Sequence, residues 1–137
     1  MNKTTFIQNF IDDIWNHKKV SMVEQYVHEE YKIHFDANDP WEKQSLNHSK
    51  FKERLNYSFS SFSDIHFAIT SILEAGDHVG ITWILTGTND GSINGLPPTN
   101  KKIRTRGMTI YYFNNGKIDG HCQVFDQQKV ARQLGFI

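Results

Sequence analysis

Apolar residues follow two rhythms along this chain, one near its start and another after its midpoint. Phe6, Ile7, Phe10, Ile11, Ile14 and Trp15 recur three and four positions apart. That spacing draws them into one stripe and predicts a helix over about 3–15. Thr5 followed by Gln8 has the form of a capping box for its first turn. Val20, Val23 and Tyr26 predict a second, short helix, and residues 27–36 read as a strand entering a turn at Asp36 to Pro40. Phe51, Leu55, Phe59 and Phe62 give an apolar edge to a third helix over about 46–59, with Ser45 or Asn47 as its cap. After Ser63 the rhythm changes. Segments 65–74 and 78–88 are rich in Ile, Thr, Val and Phe and flank Ala75-Gly76-Asp77; segments 102–113 and 117–125 flank Asn114-Asn115-Gly116. Both pairs are hairpin signals. A polar loop fills 89–100, and 127–134 predicts a short helix that stops at Gly135.

Helices first and a meander of strands afterwards indicate an α+β layout. No repeat or linker interrupts the chain, so one domain over residues 1–137 is expected. The strands at 78–88 and 102–113 are apolar on both parities: Val79, Ile81, Trp83 and Leu85 against Ile84, and Met108 and Ile110 against Tyr111 and Phe113. A sheet apolar on both faces is covered twice. The helices can cover one face; a second copy of the chain is the simplest cover for the other, so a homodimer is expected.

Charge and cysteine content narrow the function. Fifteen basic and fifteen acidic residues balance, which argues against nucleic acid as a partner. The one basic cluster, Lys101, Lys102, Arg104 and Arg106, reads as a solvated face or as a patch on the substrate side. A single cysteine, Cys122, allows no internal disulfide, and no apolar run has the length of a signal peptide or membrane span. A soluble, cytoplasmic protein without membrane contact is expected. The seven histidines form no H-x-H or H-x(3)-H pair, so no metal is expected. Neither a phosphate-cradling glycine loop nor a G-x-S-x-G elbow is present.

An ordered set of landmarks resembles the SnoaL-like polyketide cyclase family of the nuclear transport factor 2-like superfold. They are Glu74-Ala75-Gly76-Asp77-His78-Val79, Trp83, Thr86-Gly87-Thr88 and Asn94-Gly95-Leu96-Pro97-Pro98-Thr99, then Asn115-Gly116-Lys117-Ile118, Asp126 and Gln133-Leu134-Gly135. Ile14-Trp15-Asn16 and Tyr31-Lys32-Ile33-His34 match more loosely in the first half. The resemblance implies a cone: a curved antiparallel sheet with the N-terminal helices packed inside it and an internal pocket open at one end. It also implies a dimer and a chemistry. Family members close a ring by intramolecular aldol condensation of a polyketide ester, without metal or cofactor. Their acid/base carboxylate lies in a D-x(6)-QLG pattern, which here makes Asp126 the catalytic candidate, followed by Gln133-Leu134-Gly135. An apolar pocket suits such a base, because burial raises a carboxyl group toward neutrality.

Many members read Gly-Lys-Ile-x-Glu-x-Trp in the last strand; this chain has Gly120 and Cys122 in place of Glu and Trp. A regular strand would put both on the face of Asp126, so a wider, less charged pocket is expected. The remaining ligand-binding candidates are His34, where the family often places a histidine, with Trp83, Arg104 and Tyr112. Each has a plainer reading as a structural histidine, as core aromatics or as an exposed arginine. His121 and Asp119, on the opposite parity to Asp126, are expected on the outer face, and Cys122 reads as a small apolar filler. Three functions stay open: a cofactor-free cyclase, isomerase or hydrolase acting on a small, largely apolar carbonyl compound; a non-catalytic binding module on the same cone; and a structural dimer whose pocket is incidental.

Overall fold

The computed structural model describes residues 2–137. Helix α1 (Lys3–Phe10) runs directly into a π turn, Ile11–Asn16. Its cap is Asn2, whose side chain accepts the Thr5 N–H, so the helix starts ahead of the Thr5–Gln8 box. The expected stripe is buried: Ile7, Phe10, Ile11, Ile14 and Trp15 are all within the core. At the end of the turn the Asn16 amide pairs with the backbone of Phe67, donating to its carbonyl at 3.0 Å and accepting from its N–H at 2.8 Å. One side chain thus satisfies a strand-edge peptide as a neighbouring strand would, and ties the helical segment to the sheet.

Helix α2 (Val23–Tyr26) leads into β1 (Val27–Asp36), followed by the two-residue β2 (Ser45–Leu46). Helix α3 (His48–Ser61) is capped by Asn47. Strands β3 (His66–Ala75), β4 (His78–Thr88), β5 (Lys102–Asn114) and β6 (Lys117–Phe125) form the meander, and helix α4 (Gln127–Leu134) closes the chain against Gly135 in the left-handed conformation. The six strands make one curved, unclosed sheet in the order β2-β1-β6-β5-β4-β3. All neighbours are antiparallel except β1 and β6, which run parallel. The β5–β6 turn has Asn115 and Gly116 both at positive φ, the type I′ geometry that suits a two-residue hairpin. The expected α+β cone is therefore the fold.

Alternation separates the faces. On β4 the residues Val79, Ile81, Trp83 and Leu85 point into the curve, as do Ile103, Thr105, Thr109, Tyr111 and Phe113 on β5. Edge-to-face aromatic contacts stiffen the inner wall: Phe59 on Trp15, Trp15 on Phe67, and Phe67 on Trp83. Such pairs add about 0.5–1.5 kcal/mol each beyond area burial. Outward-facing Phe35, Met108, Ile110 and Val124 stay between 45% and 56% exposed. Among the described residues no helix is long and apolar enough to cross a membrane.

Candidate active site

Two bulges decide what faces the interior. In β1 the pairing with β6 shifts between Ile33 and Phe35. His34 is the extra residue, so Ile33 and Asp36 both turn inward while Phe35 turns out. In β6 the pairing with β5 shifts between Tyr112 and Phe113, leaving Asp119 as the extra residue. Ile118 and His121 therefore both face the interior, and from there Tyr111 pairs with His121, Thr109 with Gln123 and Gly107 with Phe125.

Asp36, Arg54, His121, Tyr31, Gln123 and Thr109 meet at the floor of a cavity of about 420 Å³. Its walls are apolar, chiefly Phe10, Trp15, Phe51, Phe62, Phe67, Trp83, Tyr111 and Phe125 with Ile11, Ile65, Ile81 and Leu85. The loop at 37–40, Ile93, Asn94 and helix α4 also contribute to its lining. Asp36 is buried, and three donors reach the same oxygen, Oδ2: His121 Nε2 at 2.9 Å, Arg54 Nη2 at 3.0 Å and Gln123 Nε2 at 3.3 Å. Oδ1 has no partner among the described residues. The one fully buried side-chain polar atom lacking a partner there is Thr105 Oγ1, so Asp36 Oδ1 keeps open surface, and Asp36 lines the cavity. The carboxylate is thus clamped by one oxygen, and the other has no protein partner among the described residues.

The direction of each bond follows from what each group can donate. An ionised carboxylate only accepts, so His121 carries its proton on Nε2. Burial holds the imidazole below its ordinary pKa of 6.5, and the bond to Asp36 only partly opposes this. A neutral ring leaves Nδ1 as acceptor for the Tyr31 hydroxyl, 2.6 Å away. Burial pushes the Tyr31 hydroxyl well above its ordinary range, so it keeps the proton it donates. Arg54 comes from α3 and spans two carboxylates, Nε and Nη2 on Asp39 Oδ2 at 2.9 Å and Nη2 on Asp36. Burial pulls its guanidinium down, yet Asp39 and Asp36 together hold it above its ordinary value. Its Nη1 has no partner among the described residues.

The neutral His121 has a consequence for stability. The folded chain binds a proton there only below the pH at which the unfolded chain, near 6.5, already binds one. That contribution is fully present above about pH 6.5 and is lost as pH falls toward the folded value. Urea unfolding at about pH 7.5 and pH 5.5 should show the parent losing stability on acidification, and His121→Asn losing less. Equal losses in the two proteins would contradict the assignment.

The residues singled out in the sequence divide. Trp83 is buried and lines the cavity. His34 is exposed on the convex side, edge-on to Tyr112 at 4.8 Å, because the bulge turns it outward. Tyr112 also faces out and contacts Cys122 Sγ through its hydroxyl at 2.8 Å. Arg104 is exposed, paired with Thr86 across the convex face of β5. None of these three lines the cavity. Asp126 is exposed and caps α4, its Oδ1 accepting the Lys129 N–H at 2.9 Å, and it is absent from the lining. The faces of β6 are the reverse of those expected: His121 belongs to the inner face, while Gly120, Cys122 and Val124 lie on the outer one, so the expected widening at Gly120 and Cys122 does not touch the cavity. Among the described residues no three His, Cys, Asp or Glu side chains are grouped to hold a metal ion.

The SnoaL-like polyketide cyclase model matches residues 5–134. The chain belongs to the SnoaL-like polyketide cyclase family. A protein from Acidithiobacillus ferrooxidans, assigned by name to the polyketide cyclases, is 32% identical with a TM-score of 0.90 over 96% of this chain and 93% of that one. A SnoaL-like polyketide cyclase from Agrobacterium tumefaciens is 18% identical with a TM-score of 0.74, covering 95% of each chain. AclR from Streptomyces galilaeus, assigned as a hydroxylase, is 16% identical with a TM-score of 0.80 over 98% of this chain and 81% of that one. At such identity the last two share the fold alone. No curated protein matches the chain.

Proposed function

We propose that this SnoaL-like chain is an enzyme whose own side chains perform acid–base chemistry on a small, largely apolar carbonyl compound, with Asp36 as the base. The observation that carries this is the Asp36 carboxylate in the lining of an apolar cavity, held at Oδ2 by three donors and without a protein partner at Oδ1 among the described residues. A carbon acid lying on that floor gives its proton to Oδ1. The negative charge that develops on the carbonyl oxygen lies within reach of the Arg54 guanidinium, whose Nη1 is unengaged. Donors fixed before the reaction need no reorganisation as charge develops, which is where electrostatic catalysis gains most. The enolate carbon then bonds to a second carbonyl carbon of the same molecule, whose oxygen takes the proton back from Asp36 as its C=O π bond breaks, as ring closure requires, or the enolate takes that proton back at another carbon, as isomerisation requires. Asp126 serves as the cap of α4.

The test uses 2-tetralone, an enolisable two-ring ketone that fits an apolar cavity. In deuterium oxide the parent protein should speed deuterium uptake at the carbons beside the carbonyl above the buffer rate. Protein that binds 2-tetralone, seen as tryptophan quenching, without speeding uptake would make the chain a binding module.

We also propose that the convex face is the contact of a homodimer. Phe35, Met108, Ile110 and Val124 form an apolar strip across three adjacent strands, continuous enough to match a second copy of itself. Ile110→Lys should turn a sedimenting dimer into a monomer; a parent that sediments as a monomer at micromolar concentration would contradict the assignment. A cytoplasmic location accords with the lone Cys122, which has Tyr112 and no thiol as its partner.

A further inference from the structure

We infer that Trp83 is a positioning residue for the base: through Thr109 it sets which end of the Gln123 amide faces Asp36. This rests on the reading of Asp36 as the reactive carboxylate. The chain of bonds runs from Trp83 Nε1 to Thr109 Oγ1 at 2.9 Å, from Thr109 Oγ1 to Gln123 Oε1 at 2.8 Å, and from Gln123 Nε2 to Asp36 Oδ2 at 3.3 Å. Trp83 and Thr109 are buried, so water does not compete for these bonds at that end.

The chain has a direction because its first member has no choice. An indole N–H can only donate. Thr109 must therefore accept at Oγ1, which sends its single hydroxyl proton onward. That proton requires an acceptor, so the carbonyl end of Gln123 faces Thr109 and the NH₂ end faces Asp36. With the amide turned round, its carbonyl would meet the carboxylate oxygen, two acceptors with no proton between them. A donor-only residue three bonds away thus keeps a third donor on Asp36 Oδ2, beside Arg54 and His121.

The backbone is built to hold that indole. Trp83 pairs across the sheet with Gly107, and a Cβ on Gly107 would stand 2.3 Å from Trp83 Cη2 and Cζ2. The six-membered ring occupies the place of a Gly107 side chain, which turns the five-membered ring toward Thr109, two residues further along the same face. Phe67 packs edge-on against the indole at 5.0 Å and blocks it from swinging back.

Thr109→Val keeps the shape and removes the link, and Thr109→Ser restores the hydroxyl. Two readouts on the folded variants, with a thermal melt as the folding control, test the inference. In ¹⁵N spectra, Thr109→Val should move the Gln123 side-chain NH₂ signals and the Trp83 indole signal, and Thr109→Ser should return them toward the parent positions. In the 2-tetralone assay, Thr109→Val should slow deuterium uptake by about five- to thirtyfold, the worth of one hydrogen bond to a reacting charge, with affinity unchanged, and Thr109→Ser should recover it. Gln123 signals in Thr109→Val that match the parent would overturn the inference even if the parent turned over no ketone. So would full activity of Thr109→Val beside an inactive Asp36→Asn.

Discussion

Arg54→Met is expected to lose about 3–5 kcal/mol of folding stability at neutral pH, the usual cost of removing one partner from a buried charge cluster. The Arg54 side chain is 9% exposed and those of Asp36 and Asp39 are 4% and 15% exposed, so all three charges lie largely out of water. Methionine fills the space of the stem and leaves two carboxylates facing each other without a cation. The triple change Asp36→Asn, Asp39→Asn and Arg54→Met should lose less than Arg54→Met alone, because no charge is then left unpaired. Urea unfolding at neutral pH measures both losses. A loss below about 1 kcal/mol, typical of an exposed ion pair, would mean that water reaches the cluster.

The elements were legible in the sequence because each repeats one rhythm over many residues. The stripe from Phe6 to Trp15 can be nothing but an amphipathic helix, and Asn115-Gly116 between two β-rich runs can hardly be anything but a tight hairpin. The site was not legible, and the reason is physical. Counting by twos along β1 from Ile33 places Phe35 inside and Asp36 outside; the bulge at His34 reverses them. The same counting leaves His121 out of register with Ile118, until the extra residue Asp119 brings both inside. A bulge adds one residue without any composition signal, so the polar floor stays hidden from periodicity. Arg54 was hidden differently: it sits on the apolar edge of α3 beside Phe51 and Leu55, and only the carboxylates of Asp36 at the end of β1 and Asp39 in the turn after it explain its burial. Asp126 shows the converse. Its sequence pattern drew attention to a position whose side chain is engaged with the first turn of α4.

The larger effect concerns catalysis. Asp36→Asn keeps the size of the side chain and removes the group that takes the proton. Loss of one acid/base group costs about 10²–10⁴ in rate. The amide still fills its place among His121, Arg54 and Gln123, and the apolar walls that bind a ketone are untouched, so affinity should change little and the loss should fall on turnover. Asp126→Asn makes the opposite case. Asparagine caps a helix about as well as aspartate does, so α4 should keep both its place and its stability. Deuterium uptake by 2-tetralone, measured side by side for the parent, Asp36→Asn and Asp126→Asn, separates the two carboxylates. Parent-like rates are expected for Asp126→Asn and a fall of about 10²–10⁴ for Asp36→Asn at unchanged affinity; an Asp36→Asn protein at the parent rate beside an inactive Asp126→Asn would rule out Asp36 as the base.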